Sequence, residues 1–311
     1  MGFIISIFLA LLLEPEDFGL IAMIMVIVGI AQVFTDIGLG AALIQRRRVR
    51  PVHYSSVFYF NISVGALLTI LVFFSAPYIA SFYNQDHLLI LTQVIAFTFI
   101  INSFSTIQVT KFRKELNFSV ITKVSFSSSL ISGAVGVGLA FYGAGVWSLV
   151  IQILLSKSLY SVLIWYISQW RPAFAFSLKA LEQLWGFGFR MFLSGMLNTI
   201  FSRLDFIIIG KLFPPVTLGY FQRATSLNQL VVQYSSGSLL SVLLPLLSKV
   251  QKDLPRLQNI TLIAFGIINF VVFLLLGGLY LVAEELIVLL FGSKGIESVE
   301  YFQVLALFGF V

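Results

Sequence analysis

The residues able to do chemistry are few, and several lie where charge is expensive. Lys157 stands 12 residues past Gly145 in an otherwise apolar run, which puts it ~18 Å along a helix and near a bilayer midplane. Arg223 lies five residues inside Leu218, and Arg203 and Asp205 lie eight and six residues before Lys211. Those offsets correspond to depths of roughly 7–8, 12 and 9 Å from the same membrane edge. Charges at such depth mark ligand or ion sites by default. Lys157 can bind a ligand or be neutralised within a bundle. Arg203 and Asp205 can serve a cavity or form a local pair, although residues two apart on a helix do not face each other.

Polar side chains accompany these charges. Gln222, Ser226, Gln229, Gln233 and Ser236 fall on one helical stripe with Arg223 beside it. Asn102, Ser105, Thr106 and Gln108 make a second polar stretch. A stripe too polar for lipid lines a cavity or bonds to a neighbouring helix. With Lys157, Arg203 and Arg223 as its charges, such a cavity favours an anion. Gln229 and Gln233 are the expected polar contacts. Asp36, in Asp36-Ile37-Gly38-Leu39-Gly40, is placed either to titrate as a coupling group, with Asp205 a second candidate, or to cap nearby backbone.

The elements that hold these residues follow from composition. Of 311 residues 59% are hydrophobic and 10% charged, against about 45–50% and 25% in soluble domains. Mean hydropathy is +1.01. Too little polar surface remains to cover a water-facing globule, so soluble enzymes, nucleic-acid-binding domains and disordered chains are excluded. The absence of Cys and the presence of only two His remove thiolate and histidine-rich metal sites. No metal, cofactor or catalytic residue is expected, and no nucleic acid.

The chain reads as an all-α polytopic membrane protein. Apolar segments lie at about 3–13, 18–44, 54–80, 89–110, 119–141, 146–168, 185–211, 217–247, 258–283 and 298–311, against the roughly 20 residues a spanning helix needs. The first is short and the last still apolar at Val311, so the reading is a clipped first helix and a truncated end. Alternate loops carry Arg46 to Arg50, Lys111 to Lys114, Arg171 with Lys179, and Lys249 to Arg256: twelve basic residues against two in the intervening loops. That asymmetry places the basic loops and the N-terminus in the cytoplasm.

A weak repeat runs at an offset of 200: Leu13-Glu14-Pro15-Glu16-Asp17-Phe18-Gly19-Leu20 resembles Phe213-Pro214-Pro215-Val216-Thr217-Leu218-Gly219-Tyr220. Six segments of offset preserve orientation and predict two parallel six-helix lobes. The expected division is an N-terminal lobe over 1–170, an amphipathic cytoplasmic linker helix over 171–184, and an incomplete C-terminal lobe over 185–311. Ser128, Ser132, Gly136 and Ala140 recur every four residues as a packing seam.

Several stretches together are similar to one family. They are Leu12 to Leu20, Asp36 to Gln45, Ala144-Gly145-Val146-Trp147-Ser148-Leu149-Val150, Trp170-Arg171-Pro172, Phe187-Gly188, Asp205 to Lys211 and Leu218-Gly219-Tyr220. They resemble the Wzx-type lipopolysaccharide and exopolysaccharide flippases of the multidrug/oligosaccharidyl-lipid/polysaccharide exporter superfamily, over essentially the whole chain. The resemblance implies two lobes around a central cavity in the bacterial inner membrane. It implies export of undecaprenyl-pyrophosphate-linked oligosaccharide repeat units by alternating access, with membrane lipids and polysaccharide polymerase machinery as further partners. A cation-coupled drug antiporter would need acidic cavity residues, and a membrane polymerase or ligase would need large outward loops.

Overall fold

A computed structural model describes residues 2–230 and 254–308, and every described element is helical. In order these are α1 (Gly2–Leu12), α2 (Pro15–Val33), α3 (Leu39–Gln45), α4 (Pro51–Tyr83), α5 (His87–Lys114), α6 (Phe118–Phe141), α7 (Val146–Ile167), α8 (Leu178–Phe201) and α9 (Leu204–Leu212). They continue with α10, helical over the described residues 215–230, then α11 (Leu254–Leu281), α12 (Ala283–Phe291) and α13 (Ser298–Phe308). Seven helical stretches among the described residues are long and apolar enough to cross a membrane.

Sequence chemistry sets the ends. Pro51 opens α4, where its missing N–H costs nothing, and Asn84 closes it in the left-handed conformation, φ 53°. The 33 residues of α4 span about 50 Å. Lys111, Arg113 and Lys114 occupy the last turn of α5, where positive charge complements the helix dipole.

By packing, the chain divides into two compact units. The first holds Met1–Leu13 and Leu20–Pro214. In it α4 lies along α5, α6 along α7, α7 against α5, and α1 against α6. Without an aqueous drive, close approach comes from small residues. Ser128, Ser132, Gly136 and Ala140 are buried on α6, and Gly136 abuts Gln152 of α7. On the α4–α5 face Thr69 Oγ1 donates to the carbonyls of Gly65 (2.8 Å) and Ala96 (3.2 Å).

The basic loops that belong to this unit, at Arg46 to Arg50, Lys111 to Lys114 and Arg171, lie together at one end of it. Lys114 Nζ donates to the carbonyls of Leu43 (2.5 Å) and Arg46 (2.6 Å), and Arg46 donates to Gln183 Oε1 (2.6 Å). Lys111 lies 6.0 Å from the Trp170 ring centre. An aromatic and aliphatic cluster of Leu39, Leu43, Phe58, Leu181 and Leu184, flanked by Trp165 and Trp170, fills the space beneath.

The linker differs from expectation. Residues 171–177 form no helix, because Pro172 blocks one and their backbone bonds elsewhere: the N–H groups of Ala173 and Ser177 donate to the hydroxyls of Ser55 (3.0 Å) and Ser56 (2.9 Å) on α4. From Leu178, capped by Ser177, one helix runs unbroken to Phe201. The amphipathic face over 178–185 is therefore the first two turns of α8 rather than a separate surface helix.

The second unit holds Glu14–Gly19 with Pro215–Val311. Within it Val272 and Leu276 of α11 pack on Ala306 of α13, and Asn228 Nδ2 donates to the Leu305 carbonyl (3.2 Å). The starts of α2 and α10 cross reciprocally: a Cβ on Gly19 would overlap the Pro215 carbonyl oxygen, and one on Gly219 would overlap that of Pro15. The repeat offset of 200 is thus a physical contact between equivalent Pro-x-x-x-Gly turns.

Candidate functional site

The first unit contains a cavity of about 720 Å³ among α2, α3, α5, α6 and α7. Its charged lining is Asp36, Arg113 and Lys157. Its neutral polar lining comes mainly from Asn102, Ser105 and Thr106 of α5, Ser125, Ser128 and Ser129 of α6, and Ser156 and Tyr160 of α7.

Lys157 is the twelfth of the 22 residues of α7. Although half-way along a spanning helix it is open to the cavity rather than enclosed by side chains. It makes no hydrogen bond or ion pair among the described residues. An ammonium at that depth is sustained only by water or by a ligand that enters.

Asp36 sits where the second apolar segment breaks. The segment is one run in hydropathy but two helices in the structure, α2 ending at Val33 and α3 starting at Leu39. Ile37 (φ 45°) and Gly38 (φ 71°) both adopt left-handed backbone. For Ile37 that conformation is strained, a cost of the kind stored at functional turns. Irregular backbone at membrane depth persists where it lines a cavity or is buried in protein, and both conditions hold. Both Asp36 carboxylate oxygens accept from the Gly40 N–H (3.0 and 3.1 Å), so the side chain caps the first turn of α3 while facing the cavity. Asn61 Nδ2 reaches it at 3.5 Å, and the buried Asn61 Oδ1 has no partner among the described residues. On its far side the turn packs on α8: a Cβ at Gly38 would overlap the Gly188 carbonyl oxygen.

The other expected site residues do not join this cavity. Arg203 caps α9, with its guanidinium 6.0 Å from the Phe206 ring centre and beside Gly29 of α2. Asp205 is exposed and accepts from the Phe206 N–H (2.9 Å) in the first turn of α9. The two make no ion pair with each other. Arg223 belongs to the second unit, where it is 3% exposed. It lies 5.1 Å from the Phe18 ring centre and 5.7 Å from that of Phe291, and donates to the Lys294 carbonyl (3.3 Å). Gln229 is exposed on α10; Gln233 lies outside the described residues. Gln108 is buried at the face between α5 and α7, not on the cavity.

Sequence reasoning missed Arg113, which was counted with loop charges, and the serine wall. Ser125, Ser128 and Ser129 share the i, i+3, i+4 spacing of one helix face, so the signal was present.

A family model described as polysaccharide biosynthesis protein matches residues 8–300. The chain belongs to that family. Members similar to it include the teichuronic acid biosynthesis protein TuaB of Bacillus subtilis (strain 168), 29% identical over 282 residues, covering 90% of this chain and 58% of TuaB. The lipopolysaccharide biosynthesis protein WzxC of Escherichia coli (strain K12) is 23% identical, over 99% of this chain and 63% of WzxC. The chain thus spans about three-fifths of the length of these curated relatives. Among solved structures, the lipid II flippase MurJ in an inward closed conformation superposes with a TM-score of 0.78 at 16% identity, over 99% of this chain and 72% of that one. The chain is therefore a multi-pass membrane protein with the fold seen in MurJ.

Proposed function

We propose that the full-length protein is a flippase for lipid-linked oligosaccharides, moving undecaprenyl-pyrophosphate-linked repeat units across the bacterial cytoplasmic membrane for lipopolysaccharide or exopolysaccharide synthesis. The observation that carries this reading is Lys157, half-way along a spanning helix and without a hydrogen-bond or ion-pair partner among the described residues, in a cavity walled by hydroxyls and amides. A pyrophosphate brings its own negative charge and supplies the missing partner by charge-assisted hydrogen bonds. The serine wall of α6 and the Asn102–Thr106 face of α5 offer donors and acceptors to sugars. The names of TuaB, WzxC and MurJ support the same direction.

In this reading the basic loops face the cytoplasm, and two parallel six-helix lobes, related by the offset of 200, rock to expose the cavity alternately. Arg113 receives the head group at the cytoplasmic rim and Lys157 holds it at depth. Asp36 is the coupling group, its charge felt by the α3 turn it caps. The polymerase that lengthens the exported repeat is the downstream partner.

The test is export of surface polysaccharide by the full-length protein in a flippase-null strain. Lys157→Gln should keep expression and insertion but lose export, and Lys157→Arg should retain part of it. Normal export by Lys157→Gln with loss in Lys123→Gln, an exposed lysine outside the cavity lining, would mean that the depth argument picked the wrong lysine, and no export by the parent protein sinks the flippase reading.

A further inference from the structure

A second concave site lies at the basic end of the first unit, outside the cavity. It is a groove of about 520 Å³ lined by Phe60 of α4, Phe176 of the 171–177 strap, and Leu178, Leu181, Trp185 and Gly186 of α8, with Glu182 as its one charged residue. That volume is in the range of small-molecule sites, about 300–1,000 Å³. The groove is pre-built. The strap that supplies Phe176 is tied to α4, where the Ser55 and Ser56 hydroxyls accept from the Ala173 and Ser177 N–H groups. Phe174 beside it is fully exposed, as suits a residue in lipid and not one in water.

We infer that this groove seats the isoprenoid tail of the lipid-linked substrate, an assignment that rests on the flippase reading and extends it to the apolar half of the ligand. The basic loop beside the groove, not the groove's own Glu182, sets the ligand class. Arg46 is bonded to Gln183, one residue from Glu182, and Arg47 and Arg48 are exposed next to it. An anionic head group at the groove mouth therefore meets a basic loop while its hydrocarbon enters the groove. Position singles out the substrate over a bulk phospholipid. The α8 wall that forms the groove reaches Gly188, which touches the Ile37–Gly38 turn two residues from Asp36. A tail seated there bears on the backbone that shapes the head-group cavity, which has meaning only for a lipid whose head group enters that cavity. Burial of hydrocarbon against Phe, Leu and Trp replaces membrane lipid contacts by fixed ones, so selectivity comes from shape.

The experiment is photo-labelling of the full-length protein in nanodiscs of phosphatidylethanolamine and phosphatidylglycerol, with peptide mapping. Diazirine-bearing polyisoprenyl phosphate should label the 174–188 region. Excess unlabelled polyisoprenyl phosphate should abolish that labelling, and equal phosphatidylglycerol should not. Gly186→Trp puts an indole on the groove wall at a position where the Cβ itself meets no atom within 4 Å, and should cut labelling of the region at least tenfold. Leu178→Glu is the second variant if the first fails to insert, with the same loss expected. Equal competition by phosphatidylglycerol, or unchanged labelling in both variants, overturns the assignment. The probe carries no sugar and the readout needs no transport, so groove labelling without export by the parent protein in the flippase-null strain fails the flippase reading alone, and export without labelling fails the tail site alone.

Discussion

Replacing Gly38 by alanine should destabilise the protein more than its size suggests. Two costs add at this position. Its φ of 71° is a left-handed conformation that penalises a side chain by roughly 1–2 kcal/mol. The new Cβ would also overlap the Gly188 carbonyl oxygen, backbone of a 24-residue helix that cannot rotate away, and overpacking of this kind costs about 1–3 kcal/mol. Together Gly38→Ala is expected to lose ~2–5 kcal/mol. The damage should centre on the turn that carries Asp36, because the clash pushes that turn off α8. The control is Gly138→Ala, inside α6 with no atom within 4 Å of its Cβ, where a helix-interior glycine gives back about 0.5–1 kcal/mol. Thermal unfolding in detergent, followed by tryptophan fluorescence, ranks the two. Gly38→Ala unfolding within a degree of the parent, or below Gly138→Ala in effect, would refute the argument from backbone conformation and contact.

The native chain lacks Cys, so topology is open to single-cysteine labelling: Arg48→Cys should be protected from an impermeant maleimide in intact cells and Asp86→Cys should react, with the reverse pattern inverting the orientation. Gly19→Ala and Gly219→Ala should each cost about 1–3 kcal/mol, and the double variant less than their sum, because parting the helices for one methyl makes room for the other; additive losses in unfolding measurements would deny the reciprocal contact. Lys294→Ala should shift stability by no more than ~1 kcal/mol, since the Lys294–Glu14 pair (2.6 Å) is 43% and 63% exposed; a larger drop in the unfolding midpoint would mean the pair is shielded.

The spans were legible because transfer free energy accumulates along a run of apolar residues regardless of what they pack on. Hydropathy is blind to backbone, and so it joined α2 to α3 across Ile37 and Gly38. Depth behaved similarly at the site. Counting residues from a helix end fixes a coordinate along the membrane normal, and Lys157 stands half-way along α7 as counted, on the wall of a cavity that Asn102 and Thr106 also line. It does not fix which way a side chain turns. Arg203 therefore turned to α2 and Arg223 into the aromatic pair of Phe18 and Phe291. Arg113 was hidden for the opposite reason, since its neighbours Lys111 and Lys114 made it read as one more loop charge.

The reciprocal crossing of Gly19 and Gly219 also carries a consequence for how this sequence can change. Each glycine is constrained by the proline carbonyl of the other copy and not by its own neighbourhood. Mutational freedom at one site is therefore decided some 200 residues away along the chain. Around the crossing the two copies differ freely: Glu16 stands against Val216 and Asp17 against Thr217. Library design should vary those positions independently and treat Pro15, Gly19, Pro215 and Gly219 as a single four-letter word, kept or replaced as a whole.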